Sequence, residues 1–301
     1  MFWVALIQLA QPRCRRSQYH WLLLCCFIVS LSGFSTSSLA LDRKQADLIP
    51  HVNQRARDGF LEYIYSDTHK AYAIAPGGVW AWTAIEKSEA EAQRIALQQC
   101  QSHSQLQCVL YASNDKLVFD QKAWPRLWRL NKAALSAKPV TGVARGQMFP
   151  DLLFKDRKGK KRRIANFKAK LTLVHFWGSW CPPCMREMPG LLRLQQALKE
   201  KYGSKVKMVL LQVREPFSQS LKWAKRYEFD SLPLYDSGVK GETDNFFHTR
   251  DGKQLADRQV ARAFPTSYVL DHKGRVLFVH TGPVADWLAY LPFFKDIVEN
   301  D

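Results

Sequence analysis

Trp180-Cys181-Pro182-Pro183-Cys184 places two thiols three residues apart, where an apolar run meets a helical pattern. Leu171, Leu173, Val174, Phe176 and Trp177 precede the motif, and Met185–Tyr202 follows it. A thiol at a helix start faces unpaired main-chain N–H groups and the positive end of the helix dipole. Both favour the thiolate, the species that attacks a disulfide. The spacing alone leaves redox chemistry and half of a zinc site open.

The N-terminus narrows that choice. Arg13, Arg15 and Arg16 precede the apolar stretch Trp21–Leu31, and Ser38-Leu39-Ala40 offers a small-x-small cleavage site. This reads as a secretory signal peptide over residues 1–40, with a periplasmic or other extracytoplasmic destination and a chain soluble after cleavage. The alternative is an uncleaved N-terminal anchor, but the apolar stretch is short for a membrane span. Cleavage removes Cys14, Cys25 and Cys26 and leaves Cys100, Cys108, Cys181 and Cys184. An even count in an oxidising compartment suggests pairs, naturally Cys100–Cys108 and Cys181–Cys184. A four-thiolate zinc site is the alternative, and Cys100-x7-Cys108 is too wide for a usual zinc knuckle. The eight histidines show no metal-ligand spacing, so no metal is expected.

The 301 residues are enough for two domains, and the formal charge is +17. Beyond residue 40 it is 41 − 27 = +14, since the first forty residues hold three arginines and no acid. No zinc finger, RNA-binding signature or base-reading helix accompanies the charge, so no nucleic-acid role is expected.

Elements can be placed around the motif. Leu48–Tyr65 is loosely helical, and Ala71–Ala75 alternates small and large residues as a strand. Pro76-Gly77-Gly78 turns it back into Val79–Trp82. Trp80 and Trp82 share one strand face, which points to core packing over ligand binding. Ser88 with Glu91 opens a helix running to about Gln101, and Cys108–Ala112 and Lys116–Phe119 are strands. This gives a small α+β domain at 41–131 with a Cys100–Cys108 staple, then a linker at 132–146, within a Trp124–Gly146 stretch that carries a short helix. The second domain, 147–301, orders as β-α-β-α-β-β-α. Its strands include an edge strand at Phe149–Phe154 in a hairpin with Lys161–Ile164, Leu171–Trp177, Val206–Val213, Thr266–Leu270 and Arg275–His280. That order predicts an α/β fold with a mixed central sheet flanked by helices.

Two resemblances add to this. Lys70–Phe119 resembles a small cysteine-stapled domain of exported bacterial proteins, which implies no known chemistry. Gln147–Asp301 resembles the TlpA/ResA-type thiol-disulfide oxidoreductases of the thioredoxin fold. The motifs are Phe-Pro-Asp-Leu near its start, Val-His-Phe-Trp-Gly-Ser-Trp-Cys-Pro-Pro-Cys, Arg-Glu-Met-Pro, and Phe264-Pro265-Thr266. The resemblance implies Cys181 as an exposed nucleophile and Cys184 as a deeper resolving thiol. It also implies Glu187 as a carboxylate that influences thiol ionisation, and Pro265 as a cis-proline facing the cysteines. Pro182 and Pro183 would stiffen the loop and remove two donors near sulfur. Trp180 would pack beside the sulfurs, and Phe264 and Thr266 would flank the substrate. A cis bond at Pro265 would leave neighbouring backbone free for an extended substrate segment. Taken without the family, Glu187 reads as a surface helix charge.

Two stretches depart from the family pattern. Asp236–Ala263 is longer than the usual connection and is either a partner surface or a tolerated surface loop. Lys155–Arg163 carries seven basic residues in nine, which reads as a solvated face more readily than as a docking patch. The function expected is an exported thiol–disulfide oxidoreductase reducing protein disulfides through Cys181 and Cys184, with no bound cofactor. Its implied partners are a protein disulfide, of which apocytochrome c is one option, and a membrane thiol reductant as electron donor. The alternatives are an oxidase or isomerase of the same chemistry, or a periplasmic binding or scaffold protein with a secondary thioredoxin domain.

Overall fold

A computed structural model describes residues 41–241 and 244–300. The signal peptide expected over residues 1–40 lies outside the described residues. Two short helices, α1 (Lys44–Asp47) and α2 (Gln54–Tyr65), come first, and the Asn53 side chain caps α2 by accepting the Ala56 N–H. Four antiparallel strands follow: β1 (Ala71–Ala75), β2 (Val79–Thr83), β3 (Val109–Ser113) and β4 (Lys116–Leu117), in the order β2-β1-β3-β4. Helix α3 (Glu89–Ser102) is capped by Ser88, which accepts the Glu91 N–H as the sequence pattern predicts. The alternation in β1 sorts its residues. Ala71, Ala73 and Ala75 meet Ala92, Ala96 and Cys100 of α3, where only small side chains let helix and sheet approach. Tyr72 and Ile74 point to the opposite face with Phe60 and Tyr63 of α2. Trp80 stacks on Tyr72 and Trp82 lies edge-on to Tyr63, so both are half-buried packing residues. A disulfide joins Cys100 to Cys108, with Cα atoms 6.1 Å apart.

The stretch expected as a linker with a short helix behaves differently. It contains α4 (Lys132–Ser136), but a 3-10 turn at Trp124–Trp128 drives two tryptophans into the interior. Trp128 stacks on Phe278 at 4.9 Å and lies 4.6 Å from Phe293. Buried apolar area outweighs the loop-like composition that follows it. All described residues belong to one compact unit, and one hydrophobic cluster runs from Phe60 and Tyr72 through Trp128 to Leu173 and Phe294.

The larger sheet has seven strands in the order β13-β12-β7-β8-β9-β5-β6. They are β5 (Leu153–Lys155), β6 (Lys161–Arg163), β7 (Leu171–Trp177), β8 (Val206–Gln212), β9 (Leu234–Asp236), β12 (Thr266–Asp271) and β13 (Val276–Thr281). Only β7-β8-β9 run parallel, with Val174 opposite Val209. The edge strand expected at Phe149–Phe154 is shorter and lies inside the sheet, and β6 takes the edge. Phe149 instead fills a core position 4.8 Å from Tyr268.

β7 is apolar on both faces because both are covered. Leu171, Leu173 and Trp177 face α5 (Pro182–Tyr202), α6 (Phe217–Arg226) and α8 (Leu291–Asn300). Val174 and Phe176 face the long connection, which forms a hairpin of β10 (Phe246–His248) and β11 (Gln254–Ala256), then α7 (Asp257–Val260). Phe247 is fully buried 5.3 Å from Phe176. The insertion therefore covers one side of the sheet and is not a dispensable surface loop. The architecture is a thioredoxin fold.

Candidate active site

Cys181 is the N-cap of α5, and Pro182 and Pro183 fill its first two helical positions. Neither proline has an N–H, so two of the first-turn donors are missing. The first amide available is that of Cys184, and it donates to Cys181 Sγ at 3.3 Å. Regular helix bonding begins one residue later, from Met185 N–H to the Cys181 carbonyl. The two sulfurs are joined as a disulfide. Cys184 is fully buried, as expected. Cys181 is not the exposed nucleophile expected, since it keeps only 3% of its surface. Its Sγ is tied inward to Cys184, and the Trp180 indole next to it is pinned across the loop.

The segment after β8 does the pinning. Val213 accepts the Trp180 indole N–H at 2.8 Å, and Glu215 accepts both the Ser179 N–H (2.7 Å) and its hydroxyl (2.5 Å). Ser220 donates a further bond to Glu215, which is buried. Trp180 itself is 41% exposed and meets Phe264 edge-on at 5.6 Å. Trp180 thus sits at the mouth of the site beside Phe264. The Phe264-Pro265 peptide is cis. Gly282 donates its N–H to the Pro265 carbonyl, and Thr266 donates its hydroxyl to the Ala263 carbonyl.

Glu187 lies three residues beyond Cys184 on the same helix face, and it is buried, not a surface charge. Its Oε1 accepts the Trp287 indole N–H at 2.6 Å and the Val284 N–H at 3.1 Å. Oε2 has no hydrogen-bond partner among the described residues. Burial pushes this carboxyl up to about 7, outweighing the two donated bonds that pull it down. Trp287 is itself held from the first sheet's side. Tyr290 packs 5.5 Å from it, and His51 stacks on Tyr290 at 3.7 Å while its Nε2 contacts the Ala289 carbonyl. Burial holds His51 neutral, down at about 3.

Sequence reasoning missed Glu215, Trp287 and His175. Glu215 sits in Val213-Arg214-Glu215-Pro216, which matches no motif, and Trp287 reads only as the start of a closing helix. His175 hides in the apolar run of β7. It is fully buried, hydrogen-bonds Ser267 Oγ through Nδ1, and is kept neutral by that burial. A polar residue inside an otherwise apolar strand is the one signal that could have marked it. Among the described residues, no cluster of metal-ligating side chains occurs, and no helix is long and apolar enough to cross a membrane.

Comparison with known proteins places this site in context. The Redoxin family matches residues 144–287. The thioredoxin-like protein YneN of Bacillus subtilis is 30% identical over 150 residues, covering 48% of this chain and 76% of that protein. The thiol-disulfide oxidoreductase ResA of Geobacillus kaustophilus is 31% identical over 142 residues, 47% of this chain and 72% of its own. Among solved structures, StoA from Bacillus subtilis is 24% identical with a TM-score of 0.35, over 47% of this chain and 96% of that one.

Proposed function

Because this chain belongs, through its C-terminal half, to the thioredoxin-like thiol-disulfide oxidoreductases of the ResA type, we propose that it is exported and reduces protein disulfides. The observation that carries the reading is the Cys181 N-cap, with its sulfur on the first free amide of α5. In the reduced protein that position favours thiolate.

The cycle starts when Cys181 thiolate attacks a substrate disulfide. That S–S bond breaks, a Cys181–substrate disulfide forms, and one substrate sulfur leaves as thiolate. Cys184 gives its proton to Glu187 Oε2 and attacks Cys181 Sγ. The second substrate sulfur leaves, two electrons have passed to the substrate, and Cys181–Cys184 is oxidised. No bound cofactor takes part. A membrane thiol reductant restores the dithiol, and an exported apocytochrome c is one substrate with suitable cysteines. Phe264 is the cis-proline neighbour suited to pair with an extended substrate, since the Pro265 carbonyl is already engaged by Gly282.

Cys184→Ser should freeze the first intermediate. The expected result is a covalent complex on Cys181, released by dithiothreitol and identified by mass spectrometry. Absence of any adduct would count against a protein-disulfide substrate. Direction is tested by equilibrium with glutathione buffers, where a potential near that of the strongest oxidants of this fold, about −120 mV, would overturn the reductant assignment.

The Glu187 carboxyl gives a pH-dependent expectation. Its folded-state value, about 7, lies above the ordinary 4.5, so the folded chain binds more protons between those values. Stability therefore falls as pH rises through that window, by an amount of order 3 kcal/mol. Glu187→Gln keeps an oxygen for Trp287 and Val284 but cannot take a proton. It should flatten that fall in denaturant titrations and slow resolution by Cys184 about 10- to 100-fold, removing the rate limb near neutral pH. An unchanged pH–rate profile would exclude the carboxyl from the proton transfer.

A further inference from the structure

The two sheets enclose a cleft of about 670 Å³ beside the cis-proline loop. One wall is the β1–β2 turn and the loop after α3, including His103 and Leu106. The other holds Arg258 and Arg262 of the insertion, with Thr281 on β13. Apolar surface comes from Leu106, Tyr268 and Val279. None of the described residues lining it is acidic.

Three guanidinium groups border this space, and none pairs with a carboxylate among the described residues. Arg145 is held by main-chain carbonyls of Leu277, Leu127, Trp128 and Arg129. Those contacts fix its position and leave its charge uncompensated. Arg258 donates to the Arg262 carbonyl and lies 4.9 Å over the Phe264 ring, and Arg262 is exposed. Phe264 in turn touches Trp180, the neighbour of Cys181. Arg262 is three residues from Pro265, a span of at most about 10 Å along the chain. Arg258 and Arg262 thus link the wall of the cleft to Phe264 at the rim of the dithiol site, within reach of a bound partner's flanking residues.

Such a volume is typical of a specific binding site. Guanidinium forks suit carboxylates, and the +14 excess beyond residue 40 would steer an acidic partner toward it. We propose that this cleft docks an acidic peptide segment of the partner protein, flanking the disulfide that Cys181 attacks. Its placement beside the reacting pair rests on the oxidoreductase reading; its recognition chemistry does not.

The test uses the full chain and a fluorescein-labelled peptide of alternating Glu and Val without cysteine, against its Gln counterpart. Anisotropy at low salt should show the Glu peptide binding at least about tenfold more tightly. Arg262→Glu combined with His103→Glu, one residue from each wall, should abolish that preference. Arg262→Gln alone should weaken it and serves if the double variant does not fold. Equal binding of the two peptides, or a preference that the charge reversal leaves intact, would overturn the proposal. Reduction of bis(2-hydroxyethyl) disulfide, which is small and uncharged, should proceed at the wild-type rate in the double variant. Failure of the wild type on that disulfide would count against the oxidoreductase reading, while the peptide binding would still decide the cleft.

Discussion

Cys181→Ser should reduce turnover of protein disulfides by about 10³-fold or more, because a serine hydroxyl is not ionised near neutral pH and does not attack sulfur. Among residues 41–301 no other thiol can stand in. The remaining cysteines there are Cys184, Cys100 and Cys108. The last two are buried and joined to each other. Cys184 is shielded one helical turn inside. A time course of insulin reduction, followed by turbidity, reads the effect directly. Residual activity within tenfold of wild type would show that the reaction does not depend on Cys181. Cys184→Ser should behave differently in the same assay. It stops turnover after the first attack, so adduct accumulates as product formation ceases.

Trp128→Ala is expected to destabilise the whole protein by about 3–5 kcal/mol, the usual range for deleting a fully buried large aromatic side chain. The indole is fully buried and meets Phe278 of β13 and Phe293 and Phe294 of α8. Its loss opens a cavity where the 3-10 turn after the first sheet meets the second sheet, and neither side can close it alone. Denaturant unfolding followed by circular dichroism should show a single transition shifted to lower denaturant. A change below about 1 kcal/mol, or two separate transitions, would show that the aromatic seam does not couple the two sheets.

Much of this arrangement was legible in the residues. The apolar run at β7, the helix that opens on two prolines, and the Ser88 cap all follow from local rules; β7 and the Ser88 cap appear at their expected places, and α5 begins three residues before the expected Met185. The Cys181–Cys184 pair follows from the cysteine count and spacing, and the cis bond at Pro265 from motif order. Tertiary packing decided the rest. Trp124 and Trp128 sit in a segment whose later residues are small and polar, and nothing local says that a distant helix supplies Phe293. Taken without the family, Glu187 reads as an exposed helical charge until Trp287, a hundred residues later, is folded over it. The buried state of Cys181 depends on Val213 and Glu215 holding the preceding loop, and neither carries a motif. The hairpin at 246–256 was ambiguous because its anchor, Phe247, is a single buried residue between exposed neighbours.

The basic run at Lys155–Arg163 acquires a further meaning from its place in the sheet. β6 is the last strand of the seven, so its outer main-chain groups have no strand beside them. At the opposite end, β13 is covered by residues 146–148, which bond to Val276 and bridge to Arg275. Among the described residues no strand or bridge covers the outer side of β6, which carries Lys161, Arg162 and Arg163, and Arg162 and Arg163 are steered by Asp156 and Asp151. A second copy approaching edge to edge would bring two such rows of cations together. The run that reads as a solvated face thus also repels strand addition by its own kind, a safeguard against fibrous self-association.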